Sequence, residues 1–162
     1  MNGAARKLLA AIHIAVSVGV LGTDVVLIAL GLAGFSMAPQ AVYPAAHVIG
    51  QRVLWPLALA ALGTGVTLAL VGPYGVFRWW WVTIKLGITL ALTGLLVFLL
   101  LPALTAAAAA ASAGESLSPS RQLLLTIGPV ASSSLLLTNI GLAVFKPKWR
   151  IARRMRRTEV TA

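Results

Sequence analysis

LLAAIHIAVSVGVLGTDVVLIALGLA, Leu8 to Ala33, decides the fold: in 26 residues it carries one fixed charge, Asp24, and one titratable ring, His13. A helix rises about 1.5 Å per residue and the hydrocarbon core of a bilayer is roughly 30 Å thick, so the stretch is long enough to cross with some tilt. It reads as a membrane span and not as a helix of a soluble core. His13 and Asp24 stand eleven residues apart. At about 100° per residue that spacing brings them within roughly 20° of one helix face, and Ser17 falls on the same face. A polar stripe turned to lipid is costly, so this face has to meet other helices or a wet cavity.

Composition carries the same message over the whole chain. Of 162 residues 59% are hydrophobic, and the mean hydropathy is +0.95, whereas soluble domains are about half apolar. Thirteen Lys and Arg against three Asp and Glu give a formal charge of +10. In a soluble chain that balance would suggest nucleic acid. Here the cations stand at segment ends, where they read as positive-inside signals and contacts for anionic lipid, with no nucleic-acid partner. Cysteine is absent, which removes disulfides, thiolate metal sites and cysteine nucleophiles. The start, MNGAARKLL, resembles the n-region of a signal peptide, but the apolar run that follows far exceeds the roughly 7 to 15 residues of a signal core. An uncleaved first span is predicted.

Outward from the first span, three more follow. The connection Gly34 to Tyr43 is uncharged and rich in turn formers, and Pro44 suits the first turn of a second helix reaching about Val71, with Pro56 predicted to kink it. GPYGVFRWWW, Gly72 to Trp81, is a turn whose Trp79 to Trp81 run reads as an interfacial aromatic belt. A third helix runs from near Trp79 through Lys85 to about Leu101, where Pro102 intervenes, and the following alanines can prolong it beyond the bilayer. Ser118 before Pro119 is an N-cap with proline at the first helical position, opening a fourth helix to Phe145. The expected architecture is one all-α, integral membrane four-helix bundle, up-down-up-down, with spans at 8–33, 44–71, 79–101 and 121–145 and a basic tail at 146–162. Glycines such as Gly19, Gly22, Gly63, Gly65 and Gly87 are predicted to let the helices approach closely.

Charge then sets orientation and depth. Arg6, Lys7, Arg78 and the tail cations Lys146, Lys148, Arg150, Arg153, Arg154, Arg156 and Arg157 fall on one side, which places both termini in the cytoplasm of a bacterial plasma membrane. The tail cations are the candidate binders of anionic lipid. Counting from the inner ends at about 1.5 Å per residue, His13 lies at roughly 7.5 Å, Lys85 at roughly 9 Å and Asn139 at roughly 10 Å, so these three can share an inner cluster. Asp24 and Arg52 fall about 15 and 12 Å from the outer ends and form the natural intramembrane salt bridge, either a structural pin or part of a ligand or ion site. His47 belongs near the outer interface, roughly 18 Å from His13 along the normal, too far for one shared haem. A haem held by one histidine, or copper held by His13 with Met37 or Met155, stays open.

The early histidine in AAIHIAVSVGVLGTD, the turn and helix YGVFRWWWVTIKLGITLALT and the basic tail together resemble uncharacterised small four-span membrane proteins of actinobacteria. More remotely the chain is similar to the copper-resistance D-type membrane domain, a likeness carried by His13, Trp81 and Lys85. That likeness implies metal handling at His13.

Three function classes remain. The first is a non-enzymatic membrane protein that binds or passes a small solute or ion at an internal polar site. The second is an accessory subunit packed against a membrane-protein partner or a second copy of itself, and the third a haem b or copper redox protein. Two histidines, three acids and no cysteine supply no trio of acid, base and nucleophile, so the reading is non-enzymatic.

Overall fold

The computed structural model describes residues 3–71 and 80–145. Arg78, Trp79 and the seven tail cations lie outside the described residues, as does Met155. Four long helices make up the fold: α1 Gly3–Ala33, α2 Pro39–Val71, α3 Val82–Ser112, whose helical backbone already begins at Trp80, and α4 Pro119–Phe145. Each is long and apolar enough to cross a membrane, and no strand occurs among the described residues. Large side chains such as Ile14, Leu70 and Phe98 stand exposed on the outside. Water would penalise such a surface and lipid would not.

The helices outrun the lengths expected of them because proline does not end them. Pro39, not Pro44, takes the first turn of α2, and Pro44 sits inside the helix. Pro56 and Pro102 each follow a π-helical turn, Gly50–Leu54 and Leu96–Leu100. There the Trp55 amide donates to the Gly50 carbonyl and the Leu101 amide to the Leu96 carbonyl, five residues back. A proline ring clashes with the carbonyl four residues before it and brings no N–H, and a widened turn just upstream lets the helix absorb both defects. α3 therefore passes through Pro102 to Ser112. It stops at Gly114, whose φ of 75° allows the Glu115 amide to reach the Ala110 carbonyl at 2.9 Å. Glycine meets the left-handed conformation of this cap without steric cost.

Register is set by pairs of touching residues. His13 meets Thr64 and Gly19 lies against Leu57, joining α1 to α2. Gly31 lies on Thr126, joining α1 to α4. Gly50 lies on Leu104 and His47 faces Thr105, joining α2 to α3. Between these contacts runs one apolar core that includes Val20, Leu27, Tyr43, Leu54, Leu104 and Leu125.

The glycines that carry close approach differ in part from the expected set. Gly19 and Gly65 do face a neighbouring side chain, but Gly22, Gly63 and Gly87 have nothing within 4 Å of a Cβ position, and Gly31, Gly34 and Gly50 make the tight crossings instead. A periodic glycine is free to face lipid as well as a helix. At Gly31 an added Cβ would sit 2.6 Å from Thr126 Oγ1 and 3.0 Å from its Cα. Gly31→Ala is expected to cost about 1 to 3 kcal/mol because helix backbone must move, whereas Gly87→Ala should be neutral or stabilise by about 0.5 to 1 kcal/mol. Thermal unfolding of both variants in one mild detergent checks the contrast, and equal costs would contradict the packing.

Candidate functional site

Toward the start of α1, short side chains on facing helices leave space. A cavity of about 430 Å³ lies between the first turns of α1, the last turns of α2 and the start of α3. Its polar lining is Arg6, Lys7 and His13 from α1 with Lys85 and Thr89 from α3. Small or apolar residues of α2 and α3, among them Ala61, Gly65, Val66 and Leu86, form the rest of the wall. Among the described residues no acid lines it. Three cations around a mostly apolar hollow create a positive local field, which favours negative charge.

His13 is held by α2. Its Nδ1 lies 2.9 Å from Thr64 Oγ1, which in turn donates to the Ala60 carbonyl at 2.6 Å. Gly65 makes this possible, since a Cβ there would come within 3.0 Å of His13 Cε1. On the other flank Asn139, buried in α4, reaches toward α3: its Nδ2 donates to Thr89 Oγ1 at 3.3 Å and lies 3.5 Å from the Lys85 carbonyl. Thr89 Oγ1 also donates to the Lys85 carbonyl at 2.9 Å. His13 and Lys85 thus share one cavity wall, with Asn139 behind the turn that carries Lys85. Arg6 and Lys7, read from sequence only as topology signals, line the same cavity. Gly65 was expected to allow close approach, but not beside His13, and Thr64 and Thr89 were not singled out. Their signal is positional, a hydroxyl or a glycine across from an intramembrane imidazole or ammonium, and it appears only once the helix pairing is known.

The Asp24–Arg52 salt bridge is not formed, and no ion pair is found among the described residues. Asp24 is 1% exposed in the α1–α4 contact, where the Ser132 side chain faces it, and its Oδ2 has no hydrogen-bond partner. Arg52 is exposed on the outside of α2. Two physical reasons separate them. The helix begins at Pro39, so Arg52 lies deeper than a start at Pro44 implies, and it sits inside the π turn Gly50–Leu54. One extra residue in that turn shifts the facing of the side chains by about 100°.

The two histidines serve different helix pairs. His47 Nδ1 lies 3.4 Å from Thr105 Oγ1 on α3. His13 meets α2 at Thr64, 17 residues beyond His47, which is on the order of 25 Å of helix. One iron does not reach both rings. Among the described residues no three of His, Cys, Asp or Glu gather closely enough to hold a metal ion. The immediate neighbours of His13 supply a hydroxyl, a glycine and an ammonium, and Met37 stands exposed in the connection after α1. At that connection sequence reasoning missed Tyr43, which it assigned to a loop. Its ring is fully buried with the hydroxyl against Gly34 and no hydrogen-bond partner, while Gln122 Nε2 lies 3.5 Å from the Gly34 carbonyl.

Because Asp24 and Arg52 do not touch, their substitutions should act independently. The stability changes of Asp24→Asn and Arg52→Gln in detergent are expected to sum in the double variant to within about 0.5 kcal/mol. Coupling well above that would restore the pair. No family model, curated protein or solved structure matches this chain.

Proposed function

We propose that this is a non-enzymatic, multi-pass protein of a bacterial plasma membrane that binds a small organic anion in the cavity between α1, α2 and α3. The helices are taken as up-down-up-down with both termini inside, so the cavity faces the cytoplasmic side. One observation carries the reading: Arg6, Lys7 and Lys85 converge with His13 on one hollow whose lining holds no acid among the described residues. A volume of about 430 Å³ falls within the roughly 300 to 1,000 Å³ of small-molecule sites, where an apolar wall supplies most of the contact and a few polar groups fix orientation. Arg6 and Lys7 act as a cationic mouth, and Lys85 and His13 as the groups that hold the anion inside.

Hexyl sulfate tests this reading, with hexyltrimethylammonium as its cationic counterpart. Calorimetric titration of the protein in mild detergent is expected to show binding of the sulfate and not of the ammonium. Lys85→Met should weaken the sulfate by at least about tenfold, the size of one lost charge-assisted hydrogen bond. Binding of the cation, or a Lys85→Met variant with unchanged affinity, would refute the anion site.

A second reading, an accessory subunit packed against another membrane helix, is favoured by the exposed Arg52 alone. The guanidinium lies 13 residues into a 33-residue helix, near its midpoint, where lipid is the most expensive neighbour. Under this reading a partner helix or a second copy covers it. The mass by light scattering should then exceed the 16.8 kDa of one chain and fall to it in Arg52→Leu. A single-chain mass for the unsubstituted protein, with no other membrane protein co-purifying, would dismiss this reading.

A further inference from the structure

One face of α2 is bare along most of its length and carries a cation at its centre. Ala45, Val48, Arg52, Pro56, Leu59 and Gly63 follow one another at steps of three and four, and all are exposed. Steps of that size keep to one side of a helix. The line covers 18 residues, about 27 Å, close to the roughly 30 Å of a bilayer core. None of the six lines the cavity. Ala45 and Gly63 keep the face low toward both ends, and at Gly63 an added Cβ meets nothing within 4 Å. Small residues so placed let a second backbone come close.

The apolar part of this face needs no protein to cover it, because lipid is as good a neighbour for Val48 and Leu59 as another helix. Arg52 is the exception. Among the described residues no hydrogen bond or ion pair meets its side chain. It lies 13 residues from Pro39 and 19 from Val71, about 20 and 28 Å from the two ends of α2. Snorkelling serves cations near helix ends, so at this depth the guanidinium calls for a carboxylate brought alongside it.

A second copy of this chain does not bring one. The three acids are Asp24, Glu115 and Glu159. Asp24 is 1% exposed in the α1–α4 contact, Glu115 stands in the connection between α3 and α4, and Glu159 follows α4 in the sequence. None is free at the middle of a span, and the complementary charge belongs to another protein.

We infer that the face of α2 from Ala45 to Gly63 seats one spanning helix of a different membrane protein, and that this helix carries an Asp or Glu at mid-span that takes the Arg52 guanidinium bidentately. The inference rests on the accessory-subunit reading above and names the chemistry of the partner. It is independent of the anion cavity, whose lining is a separate set of residues.

Single-span leucine–alanine peptides of about 20 residues, the length that crosses a bilayer, test it with Glu, Gln or Lys at the central position. The full-length protein is placed with each peptide in phosphatidylcholine vesicles at about pH 8, above the ordinary carboxyl range of about 4. Energy transfer from the tryptophans of the chain to a dansyl group on the peptide reads association. The Glu peptide is expected to associate at least about tenfold more tightly than the Gln peptide, and the Lys peptide no better than Gln. In Arg52→Gln the preference for Glu over Gln should fall to about one, and in Arg52→Glu it should pass to the Lys peptide. Gly63→Leu, whose new side chain meets open space and not the bundle, should weaken the Glu peptide. If the Arg52 variants do not fold, the peptide series on the unsubstituted protein and on Gly63→Leu decides. Equal association of Glu and Gln peptides, or none of either, overturns the mid-span acid. An unchanged affinity in Gly63→Leu overturns the seat on this face. A mass of two copies that the Glu peptide does not displace makes the occupant a second copy and overturns the proposal. In each of these cases the accessory-subunit reading stands, whereas a single-chain mass with no membrane protein co-purifying and no peptide bound overturns both.

Discussion

Inside a bilayer no water is at hand to take up a hydrogen bond, so a polar side chain on a spanning helix is satisfied by its own helix, by a neighbour or by a cavity. The first solution is used throughout. Ser17, Thr23, Thr64, Thr67, Thr89, Thr93, Thr105, Thr126, Ser134 and Thr138 each donate a hydroxyl to the carbonyl four residues back. These groups are quenched at home and place no demand on helix pairing. The side chains too long or too charged for that solution are His13, Asp24, Lys85 and Asn139, and they determine what the interior can do. His13 and Asn139 are met by hydroxyls that had already given their hydrogen away, Thr64 and Thr89.

The four helices were legible because hydropathy over about twenty residues is a coarse signal that local defects do not erase. Their ends were not, since proline in a soluble helix is a stop and in a membrane helix is an irregularity accommodated by a π turn. Pro44 was read as a first-turn residue and Pro102 as an interruption, whereas Pro56 was read as a kink within one helix; the π turns ahead of Pro56 and Pro102 carry no signal in hydropathy. The inner grouping of His13, Lys85 and Asn139 could be placed from the sequence because depth needs only a rise per residue and a starting point. Azimuth needs an unbroken helix. A start at Pro44 made Arg52 too shallow, and Arg52 lies in the stretch of α2 where periodicity fails, so both its depth and its facing take it away from Asp24. The hydroxyls and the glycine that shape the cavity belong to helix pairing, which hydropathy does not encode.

The two ends of the bundle use small residues to opposite effect. Ala107 and Ala111 of α3 are fully buried at the end where Val42, Tyr43 and Ala46 of α2 also lie buried, and large side chains complete that packing. At the other end Ala61, Gly65 and Ala69 of α2 face the Ala10 turn of α1, with small residues on both sides and Lys85 across the gap. Small against large closes an interface, and small against small leaves a hollow. Among the described residues the cavity lies where facing side chains of α1 and α2 are small.

Arg6 and Lys7 therefore carry two loads. They stand at the start of α1, where the proposed orientation draws on their charge, and they line the cavity. Under the proposed function, altering them changes topology and ligand attraction together, so neither can be read alone. Lys85 and His13 lie further along their helices and line the cavity, His13 against Thr64 and Gly65. Separating the proposed anion binding from the insertion of the helix is a question these two side chains can answer, because they lie away from the helix ends where charge sets topology.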